Sequence, residues 1–317
     1  MNKGFNSKTG FKNYIINGAF DVWQRGESFA SNGYTADRWK VNSSGDAPTT
    51  SRSNITNTDA DGVSYYRKKL LRITSGDDTT ALDIRQIIEY GELSVLKEYT
   101  FSLAMKRQND SNYRVSAISI RYYTSDGYED EVILSQGFEL SDILRTYSFT
   151  FSMPPYSGSA STIYGYDLIT RFSGYASNSY VDLVNVQLEE GSYATEFEQR
   201  PYGLELSLCQ RYYEFGGTSP IDKYNGIRIN TGIIATGDQY RAQQYFSVPK
   251  RITPTVTLID NDGTFGKIGL ENGNGSVIAN EVPDAVVIYE YGFTITHDLA
   301  TPEASGIRCG WVADAEL

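Results

Sequence analysis

Histidine is almost absent from this chain, because His297 is the only one among its 317 residues. Histidine carries most general acid–base and nucleophilic catalysis near neutral pH, so chemistry of that kind would depend on this single side chain. A nucleophilic triad also needs a serine on a strained turn, and the sequence contains no Gly-x-Ser-x-Gly motif. We therefore interpret His297 as a structural residue.

Cysteine is nearly as scarce. Cys209 and Cys309 are the only two, and they lie far apart in the sequence with no Cys-x-x-Cys spacing. Such a pair indicates neither a zinc site nor a disulfide framework. We expect both thiols to be reduced and structural, and we expect no metal and no organic cofactor.

Long apolar runs and positive charge are also lacking. No run approaches the roughly 20 apolar residues that span a bilayer, and the first residues lack the apolar segment of a signal peptide. Asp and Glu (39) outnumber Lys and Arg (28), which gives a net charge of −11, whereas nucleic-acid binding needs clustered positive charge. We expect a soluble protein, made in the cytoplasm, that inserts into no membrane and binds no nucleic acid.

Tyrosine and strand-like patterns are abundant. The chain has 25 Tyr against 14 Phe, a balance that suits a β-protein with amphipathic aromatic surfaces. From residue 13 to about 198, short segments of alternating apolar character recur between turn clusters, which is typical of an antiparallel β-sandwich. The predicted strands cover 65–74, 81–90, 98–107, 113–124, 145–153, 162–173 and 180–189.

Alternation within two of these strands predicts which side chains enter the core. The predicted core residues are Tyr99, Phe101, Leu103 and Met105 in one strand, and Ile118, Ile120 and Tyr122 in the next. The Asp126-Gly127 dipeptide that follows is a hairpin signal. The polar segments 42–62 and 107–112 are predicted to be exposed, mobile loops.

A boundary between two modules is predicted after residue 200. Pro201 stops any continuing strand, and Leu204, Leu208 and Tyr212 then share one face of a predicted helix over 204–213. We expect this helix to act as a joint. The β pattern resumes at Gly216, with predicted strands at 226–235, 239–248, 254–259, 264–270, 285–290 and 305–313.

Some acidic residues are candidates for catalytic or metal-binding groups. The carboxylate pairs that a glycosidase would need are Glu89 with Glu92, the run Glu129-Asp130-Glu131, and Asp167 with Asp182; solvated loops explain most of them. The segment from Asp260 to Glu271 resembles a calcium loop, but Phe265 stands where the sharp-turn glycine belongs. We therefore predict a hairpin turn at 260–263.

Several motifs carry a resemblance to a known family. They are Ile15-Ile-Asn-Gly-Ala-Phe20, Tyr34-Thr-Ala-Asp-Arg-Trp39, Val186-Gln-Leu-Glu-Glu-Gly191, Ala194-Thr-Glu-Phe-Glu-Gln-Arg-Pro201 and Cys209-Gln-Arg-Tyr-Tyr-Glu214. The stretch 13–215 resembles the distal part of bacteriophage tail fibres and receptor-binding proteins, which contain a jelly roll similar to carbohydrate-binding modules. The ending Ala313-Asp-Ala-Glu-Leu317 is similar to that of fibre tips.

The resemblance implies an all-β protein with the following organisation: an N-terminal linker (1–12), a carbohydrate-binding-module-like jelly-roll β-sandwich (13–200), a short connecting helix (201–215) and a C-terminal β-sandwich tip (216–317). It also implies a homotrimer in a virion tail fibre, attached to upstream tail or fibre proteins. The implied function is host attachment, without enzymatic activity, in which the trimeric β-rich tip binds cell-surface polysaccharide or lipopolysaccharide. A fibre-borne glycan hydrolase or depolymerase and a purely structural spacer are the alternatives.

Sugar recognition needs aromatic faces for the apolar C–H face of the ring and polar groups for its hydroxyls. The candidate carbohydrate-binding residues are Trp39, Arg121, Tyr123, Tyr166, Asp167, Arg171 and Gln187 in the first module, and Tyr240, Arg241, Gln244 and Tyr245 in the tip. Core packing is the competing interpretation for Trp39 and edge packing for the tyrosines. A subunit interface is the competing interpretation for the strand around Arg241.

Overall fold

The computed structural model describes residues 10–55, 69–108, 111–174, 176–216, 227–229, 239–298 and 304–317. The chain forms two compact units, the first ending at Glu205 and the second beginning at Leu206, with the final residue Leu317 counted in the first. Both units are built from antiparallel strands. The predicted all-β fold class is confirmed.

The first sheet of the first unit has six strands. In spatial order they are β1 (Ser28–Phe29), β4 (Thr49–Asn54), β5 (Lys69–Thr74), β13 (Tyr180–Glu190), β7 (Glu98–Arg107) and β11 (Arg145–Ser152). The neighbours β13 and β7 are distant in sequence, as expected for the crossed connections of a jelly roll rather than a simple meander.

The second sheet of this unit has seven strands. In spatial order they are β10 (Phe138–Glu139), β8 (Arg114–Thr124), β12 (Ile163–Ser173), β6 (Ala81–Glu89), β3 (Lys40–Ser44) and β2 (Gly33–Tyr34), with β9 (Gly127–Ser135) also paired to β8. The β8–β9 hairpin turns where the Asp126-Gly127 signal predicts, since Thr124 pairs with Gly127.

The core of the first unit contains side chains from both sheets. Phe101 and Leu103 of the six-stranded sheet and Ile118 and Ile120 of the seven-stranded sheet belong to one buried cluster. Each is at most 2 % exposed. Both predicted core faces are therefore confirmed, and side chains at the alternate positions of β8 and β12 point away from the core.

The motif around Arg200 holds the start of the first unit in place. Glu198 accepts hydrogen bonds from the backbone N–H of Lys12 (3.0 Å) and Asn13 (2.9 Å). Arg200 Nη1 donates to the carbonyl oxygen of Ile15 (3.0 Å) and also pairs with Glu205 (3.2 Å). These contacts satisfy backbone groups of an irregular segment that no strand ladder would satisfy.

The helix α1 (Tyr202–Gln210) differs from its predicted bounds. It begins earlier and ends earlier than 204–213, because Tyr213 already belongs to the next strand. Its buried residues are Glu205 and Cys209, whereas Leu204 and Leu208 of the predicted apolar face are only half-buried. The polar role of Glu205 with Arg200 explains why apolar periodicity misplaces the face. The joint function of the helix stays a prediction.

The second unit has two sheets whose buried side chains form one core. One sheet contains β14 (Tyr213–Gly216), β22 (Ala304–Asp314), β18 (Ile268–Asn272) and β19 (Val277–Glu281), with β15 (Ile227–Ile229) and β17 (Thr255–Ile259) also paired to β22. The other is β16 (Gln239–Tyr245), β21 (Gly292–Asp298) and β20 (Ala285–Tyr289). Trp311, Phe293 and Phe246 lie at the centre of the core.

The predicted hairpin turn at 260–263 is present, but the two strands predicted to flank it do not pair along their length. Ile259 and Phe265 form a single antiparallel bridge, but β17 and β18 do not pair with each other. Both instead pair with β22. The Asp260 side chain stabilises the turn by accepting hydrogen bonds from two backbone N–H groups. The long strand β22 supplies the backbone partners for β17 before the turn and for β18 after it.

The predicted loops also differ in part from the structure. Within 42–62, β3 continues to Ser44 and β4 covers Thr49–Asn54, while residues 56–62 lie outside the described residues. Within 107–112, Ser111 is buried and donates to the carbonyl oxygen of Gln108 (2.8 Å). Polar composition alone misses β4, which lies between the two-residue edge strand β1 and β5; strands near a sheet edge need few apolar residues.

Alkaline pH is expected to destabilise the first unit. Burial raises the pKa of Tyr14 and of Tyr122 to about 12 each. The unfolded chain ionises these phenols near pH 10, so the stabilisation is complete below about pH 10 and is lost as the pH rises toward about 12. We expect the Tm at pH 11 to lie at least about 4 °C below that at pH 8. Equal Tm values would contradict the assignment, and Tyr122→Phe should flatten the dependence.

Candidate functional site

The outward-pointing residues of the seven-stranded sheet form the candidate site, called here the outer face. Arg121 of β8 stands directly opposite Asp167 of β12 in the strand register, and Ser119 stands opposite Ile169. Their sequence neighbours Ile120 and Leu168 point into the core. Period-two alternation therefore places a row of polar groups on one surface of a rigid sheet.

Asp167 is the centre of an ion-pair network on the outer face. Its Oδ2 accepts from Arg121 Nε (3.0 Å) and Nη2 (2.9 Å) and lies 3.5 Å from Arg85 Nη1. Asp167 is fully buried, and this burial raises its pKa, although the guanidiniums of Arg85 and Arg121 act in the opposite direction. The buried carboxylate of Asp167 therefore holds the side chains of the two arginines in place. It is itself shielded from a ligand.

Three tyrosines form an aromatic cluster beside this network, called here the tyrosine cluster: Tyr123, Tyr128 and Tyr164. Tyr123 stacks on Tyr128 with ring centroids 5.1 Å apart, and Tyr164 lies 5.3 Å from Tyr123. Arg121 places its guanidinium 3.8 Å from the centroid of the Tyr128 ring. Tyr128 and Tyr164 are 42 % and 41 % exposed, so the cluster offers open aromatic surface.

A second polar group lies further along the same face. Arg171 Nη1 contacts Glu131 Oε1 (2.7 Å) and donates to Ser119 Oγ (2.9 Å), and Ser119 Oγ donates to Glu131 Oε1 (2.5 Å). Burial raises the pKa of Glu131, but the hydrogen bonds from Ser119 and Arg171 outweigh it and the pKa is lowered. Because Arg171 and Glu131 each keep about a third of their surface exposed, both can pair with ligand hydroxyls.

Gly165 shapes the backbone at the edge of the tyrosine cluster. The β12 register shifts between Ile163 and Gly165, and this shift gives Tyr164 its exposed position beside Tyr123. A Cβ on Gly165 would lie 2.2 Å from the carbonyl oxygen of Ile88, so only glycine permits this close approach of the two strands.

Three of the predicted site residues are enclosed elsewhere. Trp39 is 3 % exposed and donates its indole N–H to the carbonyl oxygen of Asn17 (2.9 Å). Tyr166 is 1 % exposed and donates to the carbonyl oxygen of Leu93 (3.0 Å). Gln187 belongs to β13 of the six-stranded sheet, where it donates to Glu189 (2.7 Å). Arg121, Tyr123, Asp167 and Arg171 are the predicted residues that the outer face brings together.

The predicted carboxylate pairs do not converge on one bond. Asp182 lies in the six-stranded sheet and forms a bidentate ion pair with Arg72 (2.7 and 2.8 Å), whereas Asp167 lies in the seven-stranded sheet. In the acidic run, Glu129 accepts from the Tyr156 hydroxyl and Asp130 from Ser157, while Glu131 faces Arg171. Glu89 and Glu92 meet at the turn after β6. Among the described residues, no three His, Cys, Asp or Glu side chains form a metal-binding group.

Sequence reasoning missed Tyr128, Tyr164, Arg85 and Ser119. The hairpin signal at Asp126-Gly127 predicts a following strand, so Tyr128 on β9 could have been found. Arg85 could have been found from alternation within the predicted strand 81–90. Tyr164 depends on the register shift beside Gly165, which no pattern in the sequence reveals.

The three-stranded sheet of the second unit presents a smaller aromatic surface, called here the tip face. Tyr245 and Tyr289 flank Gly292 in the register, so no side chain separates them. Tyr289 stacks on Tyr291 with centroids 5.3 Å apart. Arg241 is exposed on the same strand as Tyr245. Two other predicted tip residues turn elsewhere, since Tyr240 is buried against Ala304 and Gln244 donates to the carbonyl oxygen of Tyr245 (2.6 Å).

Part of the first unit is similar to a known protein family. Residues 12–165 match the family model of a carbohydrate binding domain. A comparison with curated proteins found no match. Across the parts of the chain that the structure describes, no helix is both long and apolar enough to cross a membrane.

Several solved structures share a weak likeness with the chain. The enzymatically active domain of tailspike protein 4 from bacteriophage CBA120 is 16 % identical, with 56 % of this chain and 21 % of that chain covered and a TM-score of 0.38. TmCBM61 in complex with β-1,4-galactotriose is 12 % identical, with coverages of 57 % and 100 % and a TM-score of 0.37. The CBM22-1 xylan-binding domain from Paenibacillus barcinonensis is 10 % identical, with coverages of 53 % and 94 % and a TM-score of 0.35. These similarities are too weak to carry an inference about function.

Proposed function

We propose that this protein binds glycans through the outer face of its first unit. The observation that carries the proposal is the tyrosine cluster beside fixed guanidinium groups, on a sheet within a stretch that largely matches a carbohydrate binding domain. Aromatic faces contact the apolar C–H face of a sugar, and arginine and carboxylate groups pair with its hydroxyls. The outer face supplies both kinds of contact side by side.

The ion pairs of the outer face prepare these groups for binding. Arg121 is held by Asp167 and by the Tyr128 ring, so its guanidinium loses little side-chain freedom when it meets a hydroxyl. Arg85 is held in the same way by Asp83 (3.0 Å) and by the Tyr128 hydroxyl (3.2 Å). Asp167 acts through these arginines and is a positioning residue.

We further propose that the protein serves host attachment as part of a bacteriophage tail fibre. The sequence motifs at 186–191, 194–201 and 209–214 support this assignment, which implies a homotrimer in the virion with surface polysaccharide or lipopolysaccharide as the partner. In a trimer, three weak sites act together through their effective concentration. Size-exclusion chromatography with light scattering tests the oligomer directly, since a monomeric mass would contradict the fibre assignment.

The glycan proposal is tested by titrating full-length protein with purified host surface polysaccharides. We expect saturable binding to at least one of them and no change in its chain length. Arg171→Ala on the outer face and Tyr289→Ala on the tip face, measured in parallel, separate the two surfaces. Loss of binding only with Tyr289→Ala would move the receptor site to the second unit and contradict the outer-face assignment.

The same experiment distinguishes the alternative functions. A glycan hydrolase would shorten the polysaccharide, and Asp167 with its raised pKa would then be the carboxylate to replace first. A structural spacer would neither bind nor shorten any of the polysaccharides.

A further inference from the structure

The connection between β17 and β18 leaves the sheet and returns to it. β17 pairs with Gly310–Asp314 of β22, and β18 pairs with the adjoining part of β22 from Ala304 to Arg308. Residues 260–267, called here the excursion, connect these two strands without pairing with β22. The turn within it is tight, since the N–H of Gly263 (φ +82°) donates to the carbonyl oxygen of Asp260 (3.1 Å). β19 lies beside the returning strand, with Asn280 paired to Gly269.

Three buried side-chain oxygens in this region have no hydrogen-bond donor among the described residues: Asp260 Oδ2, Asn261 Oδ1 and Asn280 Oδ1. Two contacts place Asn261 beside Asn280, and Asp260 precedes Asn261 in the chain. The oxygen of Asn261 lies 2.8 Å from the point that a Cβ of Gly269 would occupy, and Gly269 is the register partner of Asn280. Asn280 also donates its Nδ2 to Asp262 Oδ2.

The Asp260 carboxylate points into its own loop. Its Oδ1 accepts from the backbone N–H of Asp262 (2.9 Å) and of Thr264 (2.8 Å), and the residue is only 3 % exposed. Oδ2 is therefore held on a fixed carboxylate inside the excursion without a donor of its own. Burying a carboxylate oxygen in this way is costly unless a positive partner compensates it.

No Lys, Arg or His of the described chain forms an ion pair with Asp260 or Asp262. The cluster thus combines two carboxylates with two amide oxygens. Among the described residues the nearest guanidinium in the strand register, that of Arg308 opposite Gly269, forms its ion pair with Glu271 instead. Hard oxygen donors of this kind suit Ca²⁺, which accepts six to eight ligands in flexible geometry and completes its shell with water. We propose that Asp260, Asn261, Asp262 and Asn280 bind a calcium ion.

This arrangement differs from the helix-loop-helix calcium loop that the spacing from Asp260 to Glu271 suggests. Glu271, at the twelfth position, is fully buried and forms an ion pair with Arg308. Its place is taken by Asn280 on the neighbouring strand β19. A bound calcium ion would therefore link the excursion to β19 and stabilise the second unit, independently of glycan binding by the first.

The test is titration of the chelator-treated full-length protein with CaCl2, followed by calorimetry and by thermal unfolding. We expect one Ca²⁺ per chain with a Kd of about 10⁻⁴ to 10⁻³ M, and a rise in Tm at saturation. MgCl2 should bind at least about tenfold more weakly, because Mg²⁺ requires a stricter geometry. Absence of both the heat signal and the Tm rise at 10 mM CaCl2, about ten times the weakest expected Kd, would overturn the proposal.

Asp260→Asn and Asn280→Ala are each expected to raise the Kd at least about tenfold, consistent with the loss of one ligand from a weak site. Asp260→Asn keeps an oxygen for the two backbone donors. If it fails to unfold cooperatively, Asn280→Ala decides, since its strand pairing uses the backbone alone. Asp126→Asn removes the same charge from an exposed turn of the first unit and should leave the Kd unchanged. Native affinity in both site variants would contradict the assignment.

Discussion

Replacement of Tyr128 by alanine is expected to lower the affinity of the full-length protein for its glycan at least about tenfold, the loss typical of a central aromatic contact. The ring stacks on Tyr123 at 5.1 Å and lies beneath the Arg121 guanidinium at 3.8 Å. Its removal takes away stacking surface and also frees an arginine that it holds in place. Calorimetric titration with the polysaccharide that native protein binds gives the Kd directly.

Two variants separate stacking from other causes. Tyr128→Phe keeps the ring and loses only the hydrogen bond from Arg85 Nη1 (3.2 Å), so we expect a change in Kd of less than about threefold. Tyr193→Ala removes a tyrosine that is 72 % exposed outside both sheets and should have no effect. Unchanged affinity in a folded Tyr128→Ala protein would show that the sugar does not contact the tyrosine cluster.

Much of the outer face follows from the sequence. The predicted set of site residues nevertheless mixes side chains from the two opposite faces of the sheet. Arg121, Tyr123 and Asp167 were predicted and lie together. Tyr166 was predicted with them although it neighbours Asp167, and adjacent strand residues point to opposite faces. The structure accordingly buries Tyr166 in the core. Strict use of the two-residue period would have excluded it.

Irregular backbone explains what alternation cannot predict. The register of β13 shifts between Val184 and Gln187, where Asn185 has a φ of +53°. Before the shift Val181 and Leu183 point into the core of the first unit, and after it Val186 and Leu188 do. Gln187 therefore faces away from that core. A bulge of this kind inserts a residue without any apolar signature. The same limitation applies to Tyr164, whose position depends on the shift beside Gly165.

The motif at 194–201, which carries part of the family resemblance, has a structural role that cannot be predicted from its residue types. Glu198, Arg200 and Glu205 bond to the backbone of residues 12–17. The pattern of apolar residues predicts strands and helices. It does not reveal such side-chain-to-backbone contacts, which join segments distant in sequence. The motif therefore identifies a way of closing the first unit, while the sugar contacts proposed above come from other residues.

Replacement of Lys250 by methionine is expected to destabilise the second unit by about 3–5 kcal/mol, the cost typical of breaking a buried ion pair. Lys250 is 2 % exposed, and its Nζ donates to Glu214 and to the carbonyl oxygens of Gln210 (2.6 Å) and Val248 (3.1 Å). Burial lowers the pKa of Lys250, although Glu214 acts in the opposite direction. Denaturant-dependent hydrogen exchange of peptides from the second unit measures the loss.

The cost arises mainly from Glu214, which stays buried when its cation is gone. Ser247 still donates to it through N–H (2.9 Å) and Oγ (2.7 Å), but these neutral donors do not balance its charge. The double variant Lys250→Met with Glu214→Gln removes both charges and should recover at least half of the loss. Lys97→Met, which breaks an exposed ion pair with Glu190 (2.7 Å), should show no measurable change. Additive losses in the double variant would mean that packing around Lys250, and not the ion pair, stabilises this region.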